Sequence, residues 1–386
     1  MKQGDTLSLP KGWEIKKLGE VCENLDSKRI PITQSKRTKG DIPYYGASGI
    51  VDYVSDYIFD EDLLCVSEDG ANLLARTYPI AFSISGKTWV NNHAHVLRFK
   101  NFNTQKFIEL YLNSIRVDDY VSGMAQPKLN QAMLNKIPIP LPPLPEQQRI
   151  VSILDEAFEV IERSRNAAIK NLKNAKELFE SYLQGLFENG NWETKTLNQI
   201  SENLDSKRVP ITKNQRKSGD IPYYGASGIV DYVADYLFNE DLLCVSEDGA
   251  NLLTRTYPIA FSISGKTWVN NHTHVLKFPN TVTQKFVEVY INSIRIDDYV
   301  SGMAQPKLNQ AMLNKIPIPI PSIEEQQTIV RQLDALRAET QKLEAVYQKK
   351  IEDLEELKKS ILQKAFAGEL RGGEPVELKT EKAVAV

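Results

Sequence analysis

The four histidines of this 386-residue chain fall into two His-x-His pairs, His93/His95 and His272/His274. Residues i and i+2 of a strand share one face, so each pair could offer two ligands to a metal ion. Aspartate or glutamate could complete such a set, but no third ligand has a convincing spacing. Packing or hydrogen bonding within the fold is the simpler interpretation, and we predict no metal site.

Motifs for catalysis are absent from the sequence. It has no G-x-x-x-x-G-K-[ST] loop and no G-x-G-x-x-G fingerprint after a strand. Ser48 lies in Gly46-Ala47-Ser48-Gly49, which does not meet the G-x-S-x-G spacing of a nucleophile elbow. The paired acids Glu68 and Asp69 are of a kind that usually caps turns. We predict no catalytic residue.

Groups suited to nucleic acid are concentrated in a few polar segments. Asn and Gln can read adenine edges, and Lys can bind guanine or phosphate. The basic stretch Lys28–Lys39 suits phosphate contact, although a solvated loop would look the same. The alternative for the other segments is that they are turns and that Trp89 is a core residue. The candidate DNA-binding residues are Lys28, Arg29, Lys36, Arg37, Lys39, Tyr44, Tyr45, Ser48, Lys87, Trp89, Asn91, Asn92, Gln126 and Lys128, with Lys207, Arg208, Lys213, Arg216, Lys217, Tyr223, Tyr224, Ser227, Lys266, Trp268, Asn270, Asn271, Gln305 and Lys307.

These candidates recur because the chain carries one module twice, at a constant offset of 179 residues. Trp13–Pro145 and 192–324 share 104 identities in 133 positions, whereas Ile150–Phe187 and 329–366 share 11 in 38. The polar loops match residue for residue, except that the basic loop changes its residues and keeps its positive charge. Two equivalent binding surfaces imply a partner that is itself two-fold or bipartite.

The elements that position these groups follow from local patterns. Ala81–Ser85 and His93–Phe99 alternate apolar and polar residues, as in half-buried strands, and Thr104–Ser114 indicates a helix with a Thr cap. A proline-spaced connector from Ile137 to Pro145 favours an extended path. A helix of roughly 40 residues follows each module, because proline and glycine are absent there.

The predicted fold is therefore α+β, with two β-rich globular domains joined by two long antiparallel helices in a pseudo-two-fold arrangement. The ranges are 12–145 (domain 1), 146–187 (central helix), 192–323 (domain 2), 324–370 (distal helix) and 371–386 (a disordered tail). An imperfect heptad pattern predicts the helix–helix seam. Its residues are Leu154, Ile161, Ala168, Ala175 and Tyr182 on the central helix, and Leu333, Leu336, Leu343, Tyr347, Leu354 and Ile361 on the distal helix.

Composition indicates an ordinary soluble protein of the reducing cytoplasm. The net charge is −3, which argues mildly against an indiscriminate nucleic-acid binder. The three cysteines do not make a disulfide framework, and no apolar run approaches the length of a membrane span.

The whole pattern resembles the specificity subunit of type I restriction–modification systems. The resemblance lies in the two modules, in the junctions Ile137–Val151 and Ile316–Val330, in the Gly86–His95 block and in the end at Ser360–Leu370. It implies a non-catalytic reader of double-stranded DNA whose two recognition domains bind the halves of an interrupted site. It also implies two methylation subunits that bind S-adenosylmethionine and, through them, two restriction subunits that need ATP and magnesium.

The chain differs from the usual member of that family, which carries two unrelated recognition domains. Near-identical domains predict an interrupted palindrome, because site symmetry mirrors protein symmetry. Two other interpretations stay open: a regulator without methylation partners, and a carbohydrate- or protein-binding module duplicated for avidity. Co-purification with a methylation subunit would separate the regulator hypothesis from that of a restriction–modification subunit. Steeply salt-dependent binding to duplex DNA would exclude the carbohydrate- or protein-binding module.

Overall fold

The computed structural model describes residues 10–123, 125–302 and 304–370, so the tail predicted over 371–386 lies outside the described residues. The chain divides into two compact units. Unit 1 comprises the residues up to Ala167 together with those from Lys350 onward, and unit 2 is Ala168–Lys349. Each unit therefore holds one copy of the module and part of each long helix.

The described residues of the module in unit 1 form ten short strands and one helix of moderate length. The strands are β1 Glu14–Lys17, β2 Glu23–Asn24, β3 Lys39–Gly46, β4 Gly49–Val54, β5 Phe59–Asp60, β6 Leu63–Ser67, β7 Ala81–Ile84, β8 Lys87–Val90, β9 Ala94–Arg98 and β10 Pro138–Leu141. Helix α1 spans Phe102–Ser114, and α2, which begins in this unit, spans Leu144–Asn189. Single helical turns lie at Leu18–Val21, Asp26–Lys28, Gln34–Lys36, Asn72–Ala75, Asp118–Tyr120 and Gln131–Leu134.

Two four-stranded sheets form the body of this module. One is antiparallel with the order β2-β9-β6-β7, and the other has the order β4-β3-β8-β5, with β3 and β8 parallel. A first core cluster includes Cys65, Val90 and Val96 from strands of both sheets, together with Leu25 directly after β2. Strand β6 is buried along its whole length, as expected for a strand covered on both faces.

A second core cluster joins the module to the helices. Leu64 of β6 and Phe107 of α1 pack in it with Leu154 of α2 and Ile361 of the last helix. The connector predicted to be extended is strand β10, which pairs antiparallel with β1. The long helices thus complete the core of the module that precedes or follows them.

Helix α1 confirms the predicted helix, but the predicted cap is wrong. The cap is Asn101, whose side-chain oxygen accepts a hydrogen bond from the amide of Asn103. Asparagine is among the preferred N-cap residues, and Thr104 has another task. Its hydroxyl donates to Oε1 of Gln147 at 2.7 Å, which links α1 to α2.

Unit 2 repeats this architecture. Its strands are β11 Thr194–Thr196, β12 Glu202–Asn203, β13 Ile221–Gly225, β14 Gly228–Val233, β15 Phe238–Asn239, β16 Leu242–Ser246, β17 Ala260–Ile263, β18 Lys266–Val269, β19 Thr273–Lys277 and β20 Pro317–Pro319. Helix α3 spans Thr281–Ser293 and α4 spans Ile323–Phe366. Its four-stranded sheets have the orders β12-β19-β16-β17 and β14-β13-β18-β15, which match those of unit 1.

The two long helices contain 46 and 44 residues, and within each unit they run antiparallel. In unit 1, Nε of Arg165 lies 3.0 Å from Glu355, and Lys358 lies 3.7 Å from Glu162. In unit 2, the guanidinium of Arg337 lies 4.8 Å from the ring centroid of Phe179. The predicted fold class, with two β-rich domains and two long helices, is confirmed. No helix of the described residues combines the length and apolar character that a membrane crossing requires.

The buried stripe of the long helices follows most of the predicted seam. Leu154, Ile161, Ala168 and Ala175 are buried, as are Leu333, Leu354 and Ile361, while Leu336 and Tyr347 are half-buried. Tyr182 and Leu343 are 41% and 40% exposed, so they are not buried, although the Tyr182 hydroxyl donates to Oε1 of Gln332 on α4 at 3.4 Å. An α-helix drifts by about 20° per heptad, so the stripe moves on by one residue after Ala175 and buries Leu183 instead. On α4 the buried position near Leu343 is Thr340. Thr340 lies seven residues from Leu333 and from Tyr347, in a heptad series that does not include Leu343.

Candidate functional site

The polar loops of unit 1 meet at one end of the module. Because β3 and β8 are parallel, their carboxyl ends lie at the same edge, and the amide of Asn91 donates to the carbonyl of Tyr45 at 3.0 Å. Ser67 Oγ donates to the carbonyl of Ala47 at 2.6 Å, so the β3–β4 turn is attached to the end of β6. We call this surface the loop face and define it by residues 46–49, 68–70, 91–93 and 126–128.

The remaining segments are attached to the same end by backbone hydrogen bonds. The amide of Glu68 donates to the carbonyl of His93 at 2.8 Å, and the amide of Gly70 donates to the carbonyl of Pro127 at 3.0 Å. The basic stretch lies alongside, because Trp89 Nε1 donates to the carbonyl of Ile30 at 2.6 Å. Segments that are distant in sequence thus form one surface.

A buried ion cluster supports this face from beneath. Arg29 Nη1 lies 2.7 Å from Glu68, and Lys128 Nζ lies 3.1 Å from the other oxygen of that carboxylate. His95 Nδ1 lies 2.5 Å from Asp26 Oδ2, and His95 Nε2 lies 2.7 Å from the carbonyl oxygen of Leu129. The cluster ties the basic stretch, the end of β6 and the Gln126–Lys128 loop to one another.

The carboxylates of the cluster keep their charge. Burial opposes ionisation of Asp26, but the hydrogen bond and charge of His95, the amide of Val96 and the Arg29 guanidinium hold its pKa below the ordinary value. Burial likewise opposes the charge on Glu68, yet Arg29, His95 and Lys128 lower its pKa. Asp26 Oδ2 and the carbonyl oxygen of Leu129 face the two ring nitrogens of His95, so this buried imidazole is engaged on both sides.

The histidine pair does not form a joint ligand set. His93 Nδ1 faces Asp69 at 2.8 Å, whereas His95 faces Asp26. Asp26, Glu68 and His95 do bring three ligand atoms within 4.8 Å of one another. The guanidinium of Arg29 lies between the two carboxylates, and both ring nitrogens of His95 have partners within the module, so these atoms are already engaged by groups of this chain.

Unit 2 reproduces the cluster in its own residues. Arg208 lies 2.7 Å from Glu247, and His274 lies 2.6 Å from Asp205 and 2.7 Å from the carbonyl of Leu308. His272 faces Asp248 at 2.7 Å. The two modules therefore share their supporting chemistry as well as their sequence.

Several candidate residues hold the module together. Tyr44 and Tyr223 are 1% exposed, and the Tyr44 hydroxyl accepts a hydrogen bond from the amide of Ile32. Arg37 stacks on Tyr44 at 4.3 Å and pairs with Asp52 at 2.9 Å, as Arg216 does with Tyr223 and Asp231. Trp89 is half-buried in strand β8, so the alternative in which it is a core residue does not describe it. The candidates with such internal contacts are Arg29, Arg37, Tyr44, Trp89 and Asn91, with Arg208, Arg216, Tyr223, Trp268 and Asn270.

The other candidates present polar groups to the surface. In unit 1 these are Lys28, Lys36, Lys39, Ser48, Lys87, Asn92, Gln126 and Lys128, and in unit 2 Lys207, Lys213, Lys217, Ser227, Lys266, Asn271, Gln305 and Lys307. Tyr45 and Tyr224 are half-buried and stack on Phe82 and Phe261. Cations and amides on one surface can bind phosphates and base edges.

Sequence reasoning missed an apolar element of this site. Ile50, Val51, Tyr53 and Tyr78 are 46–54% exposed, and their counterparts in unit 2 are exposed as well. The sequence carried a signal for this element. Adjacent residues of a regular strand point to opposite faces, so at most one of the aliphatic residues Ile50 and Val51 can face the core.

Two sheet-rich modules with duplicated loop faces, each packed on a pair of long helices, define a two-headed recognition protein. The model of the type I restriction modification DNA specificity domain matches residues 10–171 and 189–353. The chain belongs to this family, and its two modules are the recognition domains of a type I restriction–modification specificity subunit.

Individual relatives agree with the family assignment. The chain is 30% identical over 347 residues to a putative type I restriction enzyme specificity subunit of Haemophilus influenzae, which covers 83% of this chain and 86% of the relative. It is 22% identical over 424 residues to the MjaVIII specificity subunit of Methanocaldococcus jannaschii, with 96% of each covered.

Two solved structures share the fold. A chain from work on complex assembly and conformational transition of a type I R-M system has a TM-score of 0.68 at 18% identity, with 94% of this chain and 99% of that chain covered. The HsdS subunit of Thermoanaerobacter tengcongensis has a TM-score of 0.60 at 18% identity, with 94% and 98% covered.

Proposed function

We propose that this chain reads an interrupted site in double-stranded DNA, with the loop face of each module on one half-site. The observation that carries the proposal is the duplicated loop face, in which the same cations, amides and ion cluster recur at matching positions. A protein with two equivalent heads needs a target with two equivalent parts. The half-sites are then identical and inverted, so the site is an interrupted palindrome.

The exposed lysines suit contact with the DNA backbone. Lys36 and Lys39 of the basic stretch have no identical mates, yet the second copy carries Lys213 and Lys217 in the same stretch. Positive charge that is kept while its position shifts by one or two residues fits the phosphate backbone, which offers a nearly continuous line of acceptors. The strictly repeated Asn92 and Gln126 suit base edges, for which position matters.

The chemistry of methylation and cleavage belongs to partners in this proposal. Two methylation subunits dock on the long helices and bind S-adenosylmethionine, and two restriction subunits joined through them use ATP and magnesium. The chain itself recognises DNA, scaffolds these subunits and catalyses nothing. Such a subunit acts on DNA in the cytoplasm.

The test is to co-express the chain with its neighbouring methylation subunit and to sequence the host DNA for N6-methyladenine. We expect one interrupted palindromic motif, methylated in both halves. A test variant replaces Lys87, Gln126 and Lys128 with alanine in one module only. It should abolish the methylated motif while the complex still assembles. Two unrelated half-sites would exclude the palindrome, and an assembled complex without methylation would favour a regulator.

A further inference from the structure

The hairpin of β3 and β4 carries an apolar tip that the proposed function leaves without a role. Ile50 is 48% exposed and Val51 is 54% exposed, and in the second module Ile229 and Val230 are 48% and 52% exposed. Apolar side chains scattered singly over a surface are ordinary. Here two adjacent ones occupy the same place in both modules, next to the loop face.

A β-bulge explains why both side chains are exposed. Tyr45 pairs with Ile50 and Tyr44 pairs with Asp52, so Val51 is the extra residue in β4. The second module has the same irregularity between Tyr223 and Tyr224. Bulges redirect side chains and are common beside functional sites.

The tip is held rigidly, as a probe of shape requires. Ser67 Oγ donates to the carbonyl of Ala47 at 2.6 Å on one side of the turn, and Ser48 Oγ donates to the hydroxyl of Tyr78 at 3.1 Å on the other. The second module repeats the two contacts with Ser246 at 2.5 Å and Ser227 at 3.0 Å. Contacts on a fixed hairpin cost little ordering entropy on binding.

The surroundings of the tip favour DNA as its occupant. The one carboxylate on β4, Asp52, is paired with Arg37 at 2.9 Å. Lys39 lies at the base of the hairpin opposite Val54, and Lys87 lies 4.8 Å from the ring centroid of Tyr57 just beyond β4. Lys39 and Lys87 thus lie toward the base of the hairpin, where they can meet the phosphates at the edges of a groove while the apolar tip meets the methyl groups on its floor.

The dimensions of the element agree with this occupant. β3 is also paired with β8, but β4 is the edge strand of the sheet, so the turn and the β4 side of the hairpin can enter the major groove, which is about 12 Å wide and in which thymine presents a methyl group. Beside Ile50 an open cleft of about 530 Å³ is lined by Tyr45, Ser48, Tyr78 and Phe82, which leaves room for a base edge.

We propose that the β3–β4 hairpin of the first module, and β13–β14 of the second, enters the major groove of a half-site and places Ile50 and Val51, or Ile229 and Val230, against the 5-methyl group of a thymine. This inference rests on the proposed function. Adenine methylation in both half-sites would guarantee at least one thymine in each, on the opposite strand.

The experiment compares thymine with deoxyuridine, which lacks only the 5-methyl group. Duplexes carrying the motif found by methylation sequencing are substituted at one symmetry-related thymine pair at a time. Their affinity for the full chain in complex with its methylation subunit is measured at fixed salt. The chain is tested as wild type and with Val51→Ala and Val230→Ala together. A second variant carries Ile50→Ala and Ile229→Ala.

At one thymine pair we expect deoxyuridine to weaken binding of the wild type by about fourfold per half-site, as for one buried methyl group. The alanine variants should lose a similar factor on the thymine duplex and nothing more on the deoxyuridine duplex. Ile15→Ala removes a side chain that is 61% exposed on β1 and serves as the control, which should bind and discriminate like the wild type.

Three results would overturn the proposal. The first is an absence of any effect of deoxyuridine, and the second is an effect of equal size in wild type and variants. The third is a loss of bound methylation subunit from the variants with thymine discrimination intact, which would make the tip a protein-docking surface. A failure of the proposed function is distinct, because it would show as the absence of any motif in an assembled wild-type complex.

Discussion

The ring of Phe366, at the end of the last helix, lies 5.3 Å from the ring of Phe107 in the first module. It also lies 5.2 Å from Tyr111, so two edge-to-face contacts join the end of α4 to α1. Phe187, at the end of α2, makes the same contacts in unit 2, at 5.7 Å from Phe286 and 4.9 Å from Tyr290. Each module is thus completed by the C-terminal end of a long helix.

Replacing Phe366 with alanine should destabilise the first module selectively. Truncation of a packed aromatic side chain typically costs about 3–5 kcal/mol, and we expect the lower end because Phe366 is partly exposed. Hydrogen exchange should show faster opening of β6 and α1 with unit 2 unchanged. Phe187→Ala is the matched variant and should give the converse pattern. Equal loss of protection in both modules from either variant would contradict this assignment.

The ion cluster predicts a dependence of stability on pH. The pKa values of Asp26 and Glu68 are lowered in the folded chain, and the same holds for Asp205 and Glu247. A carboxyl with a lowered folded pKa stabilises the fold above its ordinary pKa, and this contribution is lost as pH falls through the folded value. The melting temperature should therefore fall steeply below about pH 4, the ordinary range of these groups.

The variant that tests this dependence is Asp26→Asn with Asp205→Asn. We expect a lower melting temperature than that of the wild type near neutral pH, and a difference that shrinks as the pH approaches about 2, where carboxyls of the wild type are protonated as well. Asp60→Asn is the control, because the second module already has Asn239 at that position. A difference that stays constant with pH would show that the cluster is not the titrating element.

Arg76 affects stability through both its side-chain hydrogen bonds and its left-handed backbone conformation. Its φ of 54° is left-handed, and its Nη2 donates to the carbonyls of Leu112 and Ile115 at 2.8 Å and 2.7 Å at the end of α1. Arg76→Ala should cost about 2 kcal/mol for the lost charged hydrogen bonds. Arg76→Gly loses the same bonds but relieves the left-handed backbone, so it should be more stable than the alanine variant by about 1 kcal/mol. Chemical denaturation measures both, and an alanine variant at least as stable as the glycine one would disprove the strain.

Removing the exposed lysines should change how DNA affinity depends on salt but not which DNA sequence is preferred. Lys36→Ala and Lys39→Ala, combined with Lys213→Ala and Lys217→Ala, should weaken binding to all duplexes alike. The slope of log K against log salt should become shallower by about 0.9 for each lysine that contacts a phosphate. Lys16→Ala on β1 removes a charge away from the loop face and should leave the slope unchanged. A change in the methylated motif would show instead that these lysines read bases.

Two leucines of α4 should tolerate substitution by a charged residue to different degrees. Leu354 is 8% exposed in the buried stripe, whereas Leu343 is 40% exposed. Leu354→Glu buries an unpaired charge and should lower the melting temperature strongly, while Leu343→Glu should have little effect. Circular dichroism melting of the two variants provides the comparison. A strong effect at Leu343 would show that this residue packs in the helix–helix seam.

Much of the fold could be predicted because its signals are local or repeated. The duplication, the long helices, α1 and the strands around Ala81 and Ala94 follow from identity, alternation and the absence of proline. The burial of Leu183 in place of Tyr182 could not be read from a strict heptad, since it depends on the accumulated drift of a real helix.

The site was less predictable, because its roles depend on contacts between distant residues. Asp26, Glu68 and His95 form one cluster only after three segments pair, and no local pattern indicates that His95 is buried. Tyr44 and Tyr45 are adjacent and chemically equal, yet one is core and the other lines the cleft. That division follows from the side of the strand on which each residue lies.

The discontinuous build of unit 1 has a consequence for synthesis on the ribosome. The core of the first module includes Ile361 and Ala365, which are among the last described residues of the chain. The second unit is contiguous, so all of its residues have been translated before the final turns of α4 emerge. The module that is made first is therefore finished last, and a chain terminated just after Lys349 would carry a complete second module and a first module with an open core.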